Sequence, residues 1–174
     1  MSRMEIVIND TNILIDLFNA NLLAYCKHLN IEFRTLDVVM EEITVDEQRR
    51  AVDRLVADGT LKVCSLTGEQ IITVYEKISS YEGTCNLSPE DIAVMVYAIE
   101  HKCRLLTGDK TLRNKATLEN VTVSGILYLI DMLSQNGIVA PETMTHALEL
   151  LLKSNDRLPK KLIRERMEAL RKNI

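Results

Sequence analysis

With 174 residues, 47% of them hydrophobic, the chain can bury a full core and suits one domain of ordinary size. Trp is absent and aromatic residues make up only 4%, so that core must rest on Leu, Ile, Val and Met, and no apolar stretch approaches a bilayer span. The net charge of −4 conceals an asymmetry, because residues 153–174 hold eight basic side chains against three acidic ones.

Taken in chain order, a short β-branched run over 5–9 predicts a buried strand, followed by a helical period over 19–29. A weaker strand pattern covers 33–36, with helices over 37–43 and 46–57. A strand over 61–66 leads to helices over 68–79 and 89–101. Strand 103–107, helix 111–118, strand 121–124 and helix 126–136 complete the alternation. Ser88-Pro89-Glu90-Asp91 is a strong helix start, with a capping serine, proline at the first helical position and acids in the first turn. Gly137 closes the helix before it, and Pro141-Glu142 and Pro159-Lys160 open two more. Alternating strands and helices imply an α/β fold, a three-layer α/β/α sandwich with a central parallel sheet and added C-terminal helices. Residues 1–138 read as its main part and 139–174 as a helical extension of the same domain.

Several chemistries are disfavoured by what is missing. Cys26, Cys64, Cys85 and Cys103 are scattered, with no Cys-x-x-Cys pair and no histidine at zinc-ligand spacing, which favours buried reduced thiols. His28, His101 and His146 are not joined by any nucleophile-elbow motif. Glu5 and Asp10 stand where a signal peptide would be apolar, so a cytoplasmic protein without a membrane partner is expected. The basic segment from Lys153 to Lys172 fits either an anionic partner or a solvated face whose cations favour a helix C-terminus.

Four carboxylates stand out by position. Asp10 and Asp109 each follow a strand, Asp91 opens the 89–101 helix, and Glu42, beside Glu41, ends the helix over 37–43. Each has an ordinary structural explanation, since Asp10 and Asp109 can cap helices, Asp91 can complete a capping box and Glu42 can be solvated. Jointly they mean more. Open α/β sheets place their sites beyond the carboxyl ends of the strands, where Asp10 and Asp109 would meet. Carboxylates gathered there repel one another unless a cation neutralises them, and an all-oxygen set suits Mg²⁺ or Mn²⁺ rather than zinc.

The same four segments resemble the PIN-domain family, over about residues 5–125. They are Ile-Val-Ile-Asn-Asp-Thr-Asn with Asp10, Val-Val-Met-Glu-Glu-Ile with Glu42, Leu-Ser-Pro-Glu-Asp-Ile-Ala with Asp91, and Leu-Leu-Thr-Gly-Asp-Lys-Thr-Leu with Asp109. The family pattern, an acid directly before an aliphatic residue, selects Glu42 over Glu41. No carboxylate stands three to five residues after Asp109, where some relatives carry a further ligand. The resemblance implies a PIN-like fold and a metal-dependent ribonuclease for single-stranded RNA, of the kind found as the toxin of a VapC-type toxin–antitoxin pair. Asp10, Glu42, Asp91 and Asp109 would then be its catalytic and metal residues and an antitoxin its protein partner. Gly125 to Asp131, followed by Asp156-Arg157-Leu158-Pro159, is similar to the C-terminal extension of one subgroup.

Supporting roles fall to Thr11 and Thr107, whose hydroxyls can orient carboxylates, and to Asn12, which can bond a water or phosphate oxygen. Lys110, Arg113 and Lys115 can bind RNA phosphates or form a charged solvent-facing stripe. The apolar helix over 126–133 can support a homodimer. Two rival functions remain at this point: a non-catalytic RNA- or protein-binding module on the same scaffold, and a haloacid-dehalogenase-like phosphatase, which would need an acid where Asn12 stands.

Overall fold

In the computed structural model, five runs of β-branched and aliphatic residues pair into one parallel sheet: Glu5–Asn9 (β1), Ile31–Leu36 (β2), Leu61–Cys64 (β3), Arg104–Leu106 (β4) and Val123–Ser124 (β5). The structure describes residues 4–172, so residues 1–3 and 173–174, the outermost of the expected 1–138 and 139–174 segments, lie outside the described residues. Strand order is β3-β2-β1-β4-β5, every neighbour being parallel. The chain therefore builds outward from β1 on one side and then crosses to β4 on the other. That reversal puts the switch point between β1 and β4, whose carboxyl ends carry Asp10 and Thr107–Asp109.

Helices cover both faces, as the alternation of strand residues requires. Val7, Phe33, Leu61 and Leu106 face one apolar cluster, built with Thr11–Asn19 (α1), Asp46–Ala57 (α3), Ile126–Gln135 (α7), Pro141–Ser154 (α8) and Lys160–Arg171 (α9). Ile8, Leu36 and Leu105 face the other, with Asp37–Glu41 (α2), Gly68–Tyr81 (α4), Pro89–His101 (α5) and Lys110–Leu118 (α6). Residues 92–98 of α5 are buried on all sides, which explains why their sequence is apolar throughout rather than striped.

Two expectations need correction. The helix expected over 19–29 is a short 3-10 segment, Leu23–His28, and the true helix, α1, begins immediately after Asp10. Asp10 caps it by accepting the Thr11 N–H, and Asn21 in the left-handed region (φ +56°) stops the chain from continuing. The weak strand over 33–36 is a full strand starting at Ile31 and lying second from one edge. Its charged residues alternate with buried ones and so interrupt the continuous apolar run expected of a buried parallel strand; in the fold they neutralise each other, Arg34 Nε donating to Glu32 Oε1 at 2.6 Å.

The C-terminal helices close over α7. Ile126, Leu129, Ile130 and Leu133 are buried in one cluster with Met144, Leu148, Leu151 and Ile163, so the apolar face expected to serve a homodimer is covered by the chain's own helices. A two-pronged ion pair, Arg166 Nε and Nη2 to Asp131 at 2.7 and 2.6 Å, fastens α9 to α7. Cys26 and Cys103 are buried and Cys64 and Cys85 half-buried, all four as free thiols. Among the described residues no helix is long and apolar enough to cross a membrane.

Candidate active site

Asp10 lies at the end of β1 with 5% exposure, and its two oxygens are held separately. Oδ1 accepts the Thr11 N–H at 2.8 Å, the bond that starts α1. Oδ2 accepts the Asn12 amide at 2.7 Å and the Thr107 hydroxyl at 2.8 Å. Thr107, fully buried at the end of β4, also accepts the backbone N–H of Asp109 at 3.0 Å. Asn12 turns its other end to the Gly108 N–H, at 2.7 Å. Two loops separated by almost a hundred residues are thereby locked together across the switch point.

The remaining carboxylates come to the same edge through local capping. Asp109 caps α6, its Oδ1 accepting the Leu112 N–H at 2.7 Å. Asp91 completes a capping box with Ser88, accepting its N–H at 2.9 Å while Ser88 Oγ accepts the Asp91 N–H at 3.0 Å. Of the two adjacent acids at the end of α2, Glu42 is the one that reaches the site, accepting a hydrogen bond from the Thr11 hydroxyl. Glu41 is exposed at the last position of that helix.

Their proximity shows in their electrostatics. Burial, followed by the charges of Asp91 and Glu42, pushes the Asp10 carboxyl up to about 6, against the opposing hydrogen bonds from Thr107 and Thr11. Asp91 is likewise raised, by burial first and then by Asp109 and Glu90, with Ser88 opposing. The donors are all hard carboxylate oxygens carrying uncompensated like charge, which fits a hard divalent cation in kind. Among the described residues no three Asp, Glu, His or Cys side chains stand ready-gathered around one point, so holding an ion there would draw the carboxylates inward.

Of the three cations singled out after Asp109, Lys110 is exposed at the first position of α6. Arg113 turns back to the loop, its Nη2 donating to the Thr107 carbonyl at 3.1 Å. It passes close to Gly125, where an added Cβ would lie 3.0 Å from Nη2 and would have to displace the guanidinium slightly. Lys115 instead sits over the ring of Tyr81, its Nζ 4.1 Å from the centroid. The acid a dehalogenase-type phosphatase needs is replaced by Asn12, whose amide is committed to Asp10 and Gly108.

Sequence reasoning missed two contributors. Gly108 supplies a backbone donor, and its place in Thr-Gly-Asp was the available signal. Asn9, fully buried beside Asp10, donates to the Arg34 carbonyl at 3.0 Å, while its Oδ1 has no partner among the described residues. A lone asparagine ending an apolar run gave no warning of that.

A family model described as a PIN domain, DUF3368, matches residues 6–172 of this chain. Among solved structures, the chain is similar to one in VapBC2 from Rickettsia felis bound to a DNA fragment from their promoter. That match has 15% identity and a TM-score of 0.51, covering 69% of this chain and 98% of the other. It is also similar to a chain of FitAcB from Neisseria gonorrhoeae, with 14% identity and a TM-score of 0.49, covering 70% and 99%. No curated protein matches the sequence. At such identity the VapBC2 likeness speaks for the fold alone.

Proposed function

The chain belongs to the PIN-domain family, and from that premise we propose that it is a divalent-metal-dependent endoribonuclease acting on single-stranded RNA. What supports this most is that Asp10 is acted on by the charges of Asp91 and Glu42, and Asp91 by that of Asp109, all from separate segments near the switch point between β1 and β4. Mg²⁺ or Mn²⁺ held by these carboxylates would lower the pKa of a water for attack on phosphorus and stabilise the charge on the leaving oxygen.

The chain's own residues do the positioning. Thr107 and Asn12 fix Asp10 Oδ2, Thr11 holds Glu42, and the Ser88 and Leu112 N–H groups fix one oxygen each of Asp91 and Asp109. Lys110, exposed beside Asp109, is placed to meet a phosphate of the incoming strand. Asp10 is held by three donors and is the most buried of the four, so it anchors the site. In this reading the protein works in the cytoplasm as the toxin of a toxin–antitoxin pair, restrained by a protein antitoxin. The family resemblance supports that role, and a small partner should co-purify from the native host.

The test is cleavage of labelled single-stranded RNA by purified protein with Mg²⁺ or Mn²⁺, with EDTA, and by Asp10→Asn and Asp109→Asn. Metal-dependent cleavage lost in both variants is expected. Binding of RNA without cleavage under every metal condition would replace the nuclease by a non-catalytic binding module.

A further inference from the structure

Beside the carboxylates, the start of α6, the start of α7 and the turn between α8 and α9 enclose a groove of about 570 Å³. We propose that this groove is a subsite for single-stranded RNA, holding the part of the strand that flanks the scissile phosphate. The assignment rests on the nuclease reading for its substrate class.

Its position is the first argument. Gly108 and Lys110, the chain neighbours of Asp109, line the groove, so it begins one residue to either side of a candidate metal ligand. Its chemistry is the second. Arg113, Arg157, Arg166 and Lys110 line it against a single acid, Asp131, in a chain whose net charge is negative. Arg166 is committed to Asp131, and Arg113 to the Thr107 carbonyl. Lys110 and Arg157 are exposed and form no ion pair with any described residue, which leaves two cations for phosphates.

Between these cations the surface is apolar, with Leu158 and Leu162 from the C-terminal extension facing Leu127. Leu162 is 43% exposed and so presents aliphatic surface to the groove. Proteins take up single strands with phosphates on cations and bases stacked on aromatic rings or guanidinium planes, and among the described lining residues Tyr128 is the one aromatic side chain. The groove volume lies within the range of about 300–1,000 Å³ in which a ligand-sized group is enclosed. The extension thus adds binding surface next to the site as well as covering the sheet.

The experiment measures binding of a labelled single-stranded oligonucleotide to the full chain in EDTA, across a salt series. Lys110→Ala/Arg157→Ala is compared with Lys27→Ala/Lys62→Ala, which removes equal charge near the opposite edge of the sheet. Loss of two phosphate contacts should weaken binding about ten-fold and lower the salt slope by about 1.4, with the control unchanged. Leu162→Asn should weaken binding at unaltered slope. In Mg²⁺ the groove variant should raise KM. Unchanged affinity in the groove variant, equal loss in the control, or equal binding of poly-glutamate that is lost alike would overturn the subsite. Groove-dependent binding without cleavage in any metal would retain the subsite and sink the nuclease reading instead.

Discussion

The Thr107 hydroxyl donates to Asp10 Oδ2 at 2.8 Å although the two residues stand 97 positions apart, and the same oxygen accepts the Asp109 N–H. One side chain thus ties the end of β1 to the end of β4 and sets the relative positions of two carboxylates. In a fully buried position it has no water to substitute for either bond.

Thr107→Val keeps shape and burial but removes both bonds. Cleavage should fall roughly 10- to 100-fold, as expected when a group orienting metal ligands is lost. Thermal or urea unfolding should show a cost of about 1–3 kcal/mol for the unsatisfied Asp109 N–H. Thr107→Ser should retain most activity. Wild-type activity in Thr107→Val would remove the positioning role.

Asp10 sets a pH dependence. Its folded pKa, about 6, exceeds the ordinary value of 3.8, so between these values the native state holds a proton that the unfolded chain has released. Metal-free protein should lose stability from this group as pH rises through about 6, by up to about 3 kcal/mol. A cation relieves the same repulsion, so the melting-temperature gain from Mn²⁺ should be larger at pH 7.5 than at pH 5. An equal gain at both values would argue against Asp10 as a ligand.

Asp16 is buried in α1, and both its oxygens accept the Asn155 amide, at 3.0 and 3.2 Å. Burial raises its pKa and the Asn155 bond opposes that rise. Asn155→Ala should raise it further and cost about 1–3 kcal/mol near neutrality. The raised group is penalised when ionised, so the deficit should shrink as pH falls and Asp16 protonates. Chemical denaturation at pH 7 and pH 4.5 checks this, and a deficit that grows on acidification would contradict it.

Ile163 joins α9 to the apolar cluster that includes Val7 and Leu106 of the sheet. Ile163→Ala should cost about 2–5 kcal/mol as a cavity substitution. If 139–174 folds as one domain with the rest, far-UV circular dichroism should show a single shifted transition. Separate early melting of a helical fraction would mark the extension as an independent unit.

Much of the architecture was legible because its signals are local. Proline and serine at the start of α5, the short aliphatic runs of β1 and β4 and most of the helical periods are set by neighbouring residues, so the α/β alternation and the positions of Asp10, Asp91 and Asp109 at element ends could be read directly. Where local signals were ambiguous the reading failed. Asp10-Thr11-Asn12 has the composition of a turn but starts α1, because the Asp10 cap and the burial of Ile13, Leu14 and Leu17 outweigh it.

By itself, then, the sequence determined most of the strands and helices, α1 excepted, and which of their ends carry an acid. Strand order, the clasp of Thr107 and Asn12 on Asp10, the covering of α7 by α8 and α9, and the joining of Lys110 to Arg157 across one groove were decided by tertiary structure alone. These are contacts between residues tens to more than a hundred positions apart. Their energy depends on which surfaces meet, and no local pattern encodes that.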